Sequence, residues 1–155
     1  MKTIALFSML VLAQLSFAQK SALNWYTDIN KASAVAIKEG KPMMLFFTGS
    51  DWCGWCHKLQ KEVFNTSEFE NWAKDNVILV ELDFPKNKVQ TEAIKTQNRN
   101  LQQQFGVRGY PTCWFVRPDK SNNSANNLSP VGSKGYEYGG PTNWISGAKA
   151  MLDAN

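Results

Sequence analysis

The run Met43-Met44-Leu45-Phe46-Phe47-Thr48-Gly49-Ser50-Asp51-Trp52-Cys53-Gly54-Trp55-Cys56 decides how this chain is read. Its first half is continuously apolar, the pattern of a strand covered on both faces inside a sheet. A tight turn follows. His57 to Phe64 then forms an amphipathic stretch in which Cys56, Leu59 and Val63 share one helical face. Strand, turn and helix in that order place both cysteines in the first turn of the helix. Unpaired backbone N–H groups and the positive end of the helix dipole favour thiolate over thiol there. Cys53 is thus a better nucleophile than a free cysteine, and Cys56 lies close enough to close a small disulfide loop.

At 155 residues the chain is long enough for one domain with its own core. Hydrophobic residues make up 43% and charged residues 19%, as in an ordinary globular protein. The formal charge is +4, but the cations are scattered and no run of Lys and Arg forms a nucleic-acid footprint. Lys2, the apolar stretch Ile4 to Leu15 and the small-x-small site Ser16-Phe17-Ala18 read as a signal peptide over 1–18, cleaved after Ala18. The expected mature domain is 19–155, exported to the periplasm or beyond the cell. Three cysteines are too few for a disulfide scaffold in an exported protein of this size, and the number is odd. A staple across Cys53 and Cys56 would constrain little. That leaves a redox pair and one further thiol, Cys113, read either as a buried small hydrophobe or as a partner in an alternative disulfide.

Helical spacing runs from Ser21 to Gly40, where Gly40-Lys41-Pro42 stops it. Ser67 with Glu70 forms a capping-box pattern for a helix over 67–75, with Phe69 and Trp72 turned inward. Val77 to Leu82 is a second buried strand, and Val89 to Phe105 a polar helix ending at Gly106. Cys113 to Val116 is a short strand, Ser121 to Pro130 a loop rich in Asn and Ser, and Val131 to Tyr138 a weak antiparallel partner strand. A last helix follows Gly139-Gly140-Pro141, with Trp144, Ile145, Ala148 and Leu152 on one side.

This order, with Trp52-Cys53-Gly54-Trp55-Cys56 after one strand and Gly109-Tyr110-Pro111-Thr112 before another, resembles the thioredoxin superfamily. Phe46 to Cys53 is most similar to the exported single-domain thioredoxin-like proteins of bacteria. The resemblance spans about Lys41 to Leu152. It implies an α/β fold, a central mixed sheet flanked by helices, with an extra N-terminal helix. It further implies a thiol–disulfide oxidoreductase in which Cys53 attacks and Cys56 resolves, with no cofactor and no metal. Pro111 would be cis and lie against the disulfide, Tyr110 would present its backbone to an extended substrate, and Trp55 would face partner proteins. Trp52 would pack under the site, Gly54 would permit a tight turn with access to Cys53, and His57 would sit near the thiolate or face solvent. The implied partners are protein dithiols and disulfides and a membrane or soluble electron donor or acceptor, met by a monomer that binds no nucleic acid. One departure stands out. The buried acid that many thioredoxins carry in the strand before the motif is replaced by Phe46 and Phe47, leaving water, His57, Glu81 or Asp83 to take the proton of Cys56.

Two other readings stay open at this level. The fold could serve as a non-catalytic binding module or metallochaperone that holds a metal through the two thiols. Cys53-x-x-Cys56-His57 also fits the c-type haem attachment pattern, with Met43, Met44 or Met151 as the second axial ligand.

Overall fold

The structure is a computed structural model that describes residues 23–119 and 127–154. The expected signal peptide, and the part of the Asn- and Ser-rich loop before Asn127, lie outside the described residues.

All six residues of β2 (Met43–Thr48) are buried, as continuous apolarity demands. On one side β2 runs parallel to β3 (Ile78–Asp83), with Met43 opposite Ile78 and Thr48 opposite Asp83. On the other it runs antiparallel to β4 (Thr112–Pro118), with Phe47 opposite Thr112. A short β1 (Trp25–Tyr26) extends the parallel half along β3, and β5 (Leu128–Lys134) pairs antiparallel with β4. The resulting mixed sheet has the order β1-β3-β2-β4-β5. The C-terminal ends of β2, β3 and β5 and the start of β4 therefore meet at one end of the sheet.

Side-chain alternation splits the core into two layers. Met44, Phe46, Leu79, Cys113 and Phe115 face α2 (Gly54–Leu59), α3 (Ser67–Asn76) and α5 (Gly140–Asp153). Met43, Leu45, Phe47, Val80 and Leu82 face α1 (Ile29–Glu39) and α4 (Glu92–Gln104). Helices on both faces of one sheet give the expected α/β architecture. α2 runs directly into a π-helical turn, Gln60–Phe64, closed by the Asn65 N–H donating to the Gln60 carbonyl at 2.8 Å. The wide turn turns two consecutive side chains, Val63 and Phe64, into the core. Phe64 then meets Trp25, Phe46, Phe69 and Trp144 with ring centroids 4.6–5.5 Å apart, an aromatic cluster beneath the motif helix.

The differences from the sequence expectation lie at element ends. The helical spacing from Ser21 hides β1, and α1 starts only at Ile29. Asp28 is the reason, because its carboxylate accepts from the Asn30 and Lys31 N–H groups and caps the helix there. α4 begins at Glu92 rather than Val89, capped by Thr91. The strand after the Asn- and Ser-rich loop begins at Leu128, three residues earlier than Val131. The expected capping box at Ser67 does not form. Thr66 is the N-cap of α3, its hydroxyl accepting from the Phe69 N–H at 3.3 Å and donating to the Val63 carbonyl at 2.6 Å. Thr66→Ala is therefore expected to lower stability by about 1 kcal/mol, whereas Ser67→Ala should stay within about 0.5 kcal/mol in denaturant titration. The reverse order would restore the cap to Ser67.

Candidate functional site: a disulfide at the head of a helix

Between β2 and α2 the chain crosses from a buried strand to the surface in five residues, and hydrogen bonds fix the path. The Ser50 N–H and hydroxyl both donate to the Asp83 carboxylate, at 2.8 and 2.6 Å. The Asp51 carboxylate accepts from the Lys86 and Asn87 N–H groups at 2.9 and 2.6 Å, and these two donors hold it below the usual carboxylate range. The Trp52 indole donates to the Phe84 carbonyl at 2.8 Å. That ring lies so close over Gly49 that a Cβ there would collide with it. Trp52 is 41% exposed and lies across the loop rather than packed under the site, because its indole N–H reaches outward to the carbonyl after β3.

The loop delivers Cys53 to the N-cap of α2 in an extended conformation. Its carbonyl accepts from the Cys56 and His57 N–H groups at 3.1 Å, and its sulfur accepts from the Cys56 N–H at 3.2 Å. Cys53 and Cys56 form a disulfide with their Cα atoms 5.2 Å apart. Both cysteines are buried, Cys56 at 0% exposure and Cys53 at 5%, so what little exposure the pair has belongs to Cys53. Gly54 has no positive φ and no neighbour that a Cβ would meet, so no turn requires glycine there. His57 is exposed, yet its Nε2 is held by the Ser50 carbonyl at 2.8 Å, which ties the helix back to the loop.

The Tyr110–Pro111 peptide bond is cis, and both residues are partly buried. The Tyr110 ring meets Trp52 edge-on at 5.7 Å and Phe84 at 5.3 Å, and its hydroxyl accepts from the Gln102 side chain at 2.6 Å. Tyr110 is therefore fixed by packing as well as placed near the motif. Trp55 is 52% exposed and rests against Tyr136 at 5.4 Å. The Lys58 ammonium lies 5.0–5.2 Å from the ring centres of Trp55, Tyr136 and Tyr138. Tyr136 and Tyr138 did not emerge as site residues from the sequence. Their spacing of two, which puts both on one side of an extended segment, was the available signal.

Beneath the motif, Asp83 is committed to Ser50, whereas Glu81 sits opposite Phe46 on β3. Alternation gives Glu81 the same sheet face as Phe46 and Leu79, the face that carries the disulfide. Burial, and then the Asp83 charge, push its carboxyl above the ordinary range. The Thr48 hydroxyl, fully buried at the end of β2, has no hydrogen-bond partner among the described residues. Cys113 is free and fully buried, and burial pushes its thiol far above the ordinary range. This matches the small-hydrophobe reading. Among the described residues no three His, Cys, Asp or Glu side chains converge to hold a metal ion.

Two thiols joined at a helix head and a cis proline leading into the neighbouring strand define the thioredoxin-like class. The family model described as a thioredoxin-like domain matches residues 29–122, and the chain belongs to this family. It is 35% identical over 115 residues to the disulfide bond reductase DsbH of Chlamydia pneumoniae, covering 74% of this chain and 64% of that protein. It is 30% identical over 115 residues to the thioredoxin-related protein DsbJ of the same organism, covering 74% of this chain and 32% of that one. The chain thus spans less than two thirds of these relatives' length. A solved DsbH oxidoreductase structure superposes with a TM-score of 0.70 at 32% identity, covering 86% of this chain and 85% of that one.

Glu81 gives a signed pH prediction. A carboxyl raised in the fold resists ionising, so its penalty is fully present above its folded value and is relieved as pH falls through it. Glu81→Gln should therefore melt higher than the parent at neutral pH, with the gap closing as the pH drops below the ordinary glutamate range. A gap independent of pH would show that the carboxyl is not set into the sheet as described.

Proposed function

We propose that the chain is a thiol–disulfide oxidoreductase that exchanges disulfides with exported proteins through Cys53 and Cys56. The observation that carries this reading is the asymmetry of the pair. Cys53 caps the helix, accepts a backbone N–H at its sulfur and keeps 5% of its surface exposed, while Cys56 keeps none. In the reduced form the same N–H and the helix start would hold a thiolate at Cys53.

The Cys53 thiolate attacks one sulfur of a substrate disulfide, breaking that bond and releasing the other substrate sulfur as a thiolate that takes up a proton. Cys56 then loses its proton and its sulfur attacks Cys53, breaking the mixed disulfide and releasing the second substrate thiol. Two electrons have passed from the pair to the substrate, and the Cys53–Cys56 bond seen in the structure is the product. With no acid on β2, Glu81 is the proposed holder of the Cys56 proton, supported by its sheet face and its preference for the neutral form. Because the two sulfurs store the electrons, the cycle needs no cofactor.

Trp55, Tyr110 and Pro111 are proposed to contact the substrate segment. Trp52 and His57 hold the loop, and Gly54 leaves the approach free. The direction proposed is reduction, supported by the name of the 35% identical relative. The proposed location is the periplasm or outside the cell, supported by the sequence pattern of 1–18. A monomer regenerated by a membrane or soluble dithiol donor completes the reading.

Cys56→Ser is expected to trap mixed disulfides with partner proteins on non-reducing gels, and Cys53→Ser to trap none. Equal trapping by both variants contradicts the assigned roles. The reduction potential should be more negative than about −200 mV, on the reducing side of protein disulfide isomerase at about −180 mV. A value near −120 mV, that of a strong oxidant, would reverse the direction.

A further inference from the structure

Both tryptophans of the motif carry a lysine over the ring. The Lys86 ammonium lies 4.7 Å from the Trp52 ring centre and that of Lys58 lies 5.2 Å from Trp55. The sheet order puts these pairs on opposite flanks of the disulfide. Lys86 follows β3 on one side of β2, while Tyr136 and Tyr138, which complete the rings around Lys58, follow β5 on the other. Trp52, Trp55 and Tyr138 are 41, 52 and 73% exposed, so the flanks are open to a partner.

The charges on this face are not equally committed. Asp51 is taken by two backbone N–H groups, Asp83 by Ser50, Glu62 by the Tyr136 hydroxyl at 2.5 Å, and Glu137 by Lys134 at 3.0 Å. Glu62 is also 4.0 Å from Lys58, and the Lys88 ammonium donates to the Ser50 hydroxyl at 2.9 Å. Among the described residues the Lys86 ammonium has no carboxylate partner, and Lys58 has only the distant one. Committed carboxylates beside ammonium groups with donors to spare favour a partner that brings acidic side chains. The aromatic faces beneath those ammoniums would bury its apolar atoms.

We propose that the lysine-capped tryptophans form a two-sided recognition surface for an acidic, extended segment of the substrate protein, with its cysteine between carboxylate side chains. This rests on the exchange reading above and names the class of substrate that the site selects. In an extended segment the residues two places before and after the cysteine project to the same side as its sulfur. Those are the positions where Asp or Glu would meet Lys86 on one flank and Lys58 on the other.

The test compares two synthetic peptide disulfides that differ only in carrying Asp or Lys two residues to each side of the attacked cysteine. The dithiol form of the protein is expected to reduce the Asp peptide about tenfold faster at low salt, with the ratio falling toward one at about 0.5 M salt. Lys58→Glu/Lys86→Glu should invert the preference, and the exposed single change Lys86→Glu should weaken it if the double variant folds poorly. Each value is a ratio within one protein, so a change in overall reactivity does not enter. Equal rates for the two peptides, or a preference that survives charge reversal, would overturn the acidic-segment assignment. Reduction of hydroxyethyl disulfide in the same experiment would leave the exchange reading standing. Failure to react with any disulfide overturns both.

Discussion

The hydrogen bonds between the Gly49–Trp52 loop and the chain leaving β3 are the constraint on which the site depends. A buried strand must become a surface helix within five residues, and nothing in those residues' own propensities fixes the route. Parallel pairing of β2 with β3 brings both C-terminal ends side by side, so Asp83 can take Ser50 while Asp51 and Trp52 reach the next segment. Each tie is short, and two of the three have a carboxylate accepting two hydrogen bonds. With the loop held, Cys53 enters α2 as its cap, and the Cys56 N–H is shared between the Cys53 carbonyl and the Cys53 sulfur.

The support reaches outward through α4. The Asp83 carbonyl accepts from the Asn98 side chain at 2.9 Å and from Gln90 at 3.2 Å, and Asn98 accepts from Gln97 at 3.0 Å. Gln97 also accepts from the Ile29 N–H and donates to the Thr27 carbonyl, joining the start of α1 to the same chain of amides. Residues remote from the sulfurs thus position them through one polar network on the far side of the sheet. The other side is packed with rings. An aromatic floor below α2 and a polar brace beside it leave the two sulfurs little freedom to drift.

The main strand, the motif helix and the proline turn were legible in the sequence because each carries a strong local signal. Six consecutive buried residues in β2 read as one apolar run, and the two-residue cysteine spacing before helical periodicity admits few placements. Boundaries set by single side chains were harder. Trp25 and Tyr26 extend the sheet only because β3 offers an edge, and no local pattern of two residues announces that. Thr66 and Ser67 are both capping types, and the choice falls to the one that also bonds the Val63 carbonyl. In the site, the contacts of Tyr136 and Tyr138 with Trp55 and Lys58 join positions some eighty residues apart. Glu81 could be named from sequence as an acid but not assigned a side of the sheet, which needed the register against Phe46.

The π-helical turn at Gln60–Phe64 holds one residue more than an α-helical turn, because the Asn65 N–H reaches the Gln60 carbonyl five residues back rather than four. Each residue advances an α-helix by about 100°. Removing one residue from 60–64 would leave those two groups paired across an ordinary turn, with Cys53 to Leu59 and α3 keeping their phase. The loss would fall on the core, which would have one inward side chain where Val63 and Phe64 now supply two. The overwide turn is in effect a one-residue insertion that thickens the floor under the motif helix without turning the thiols away.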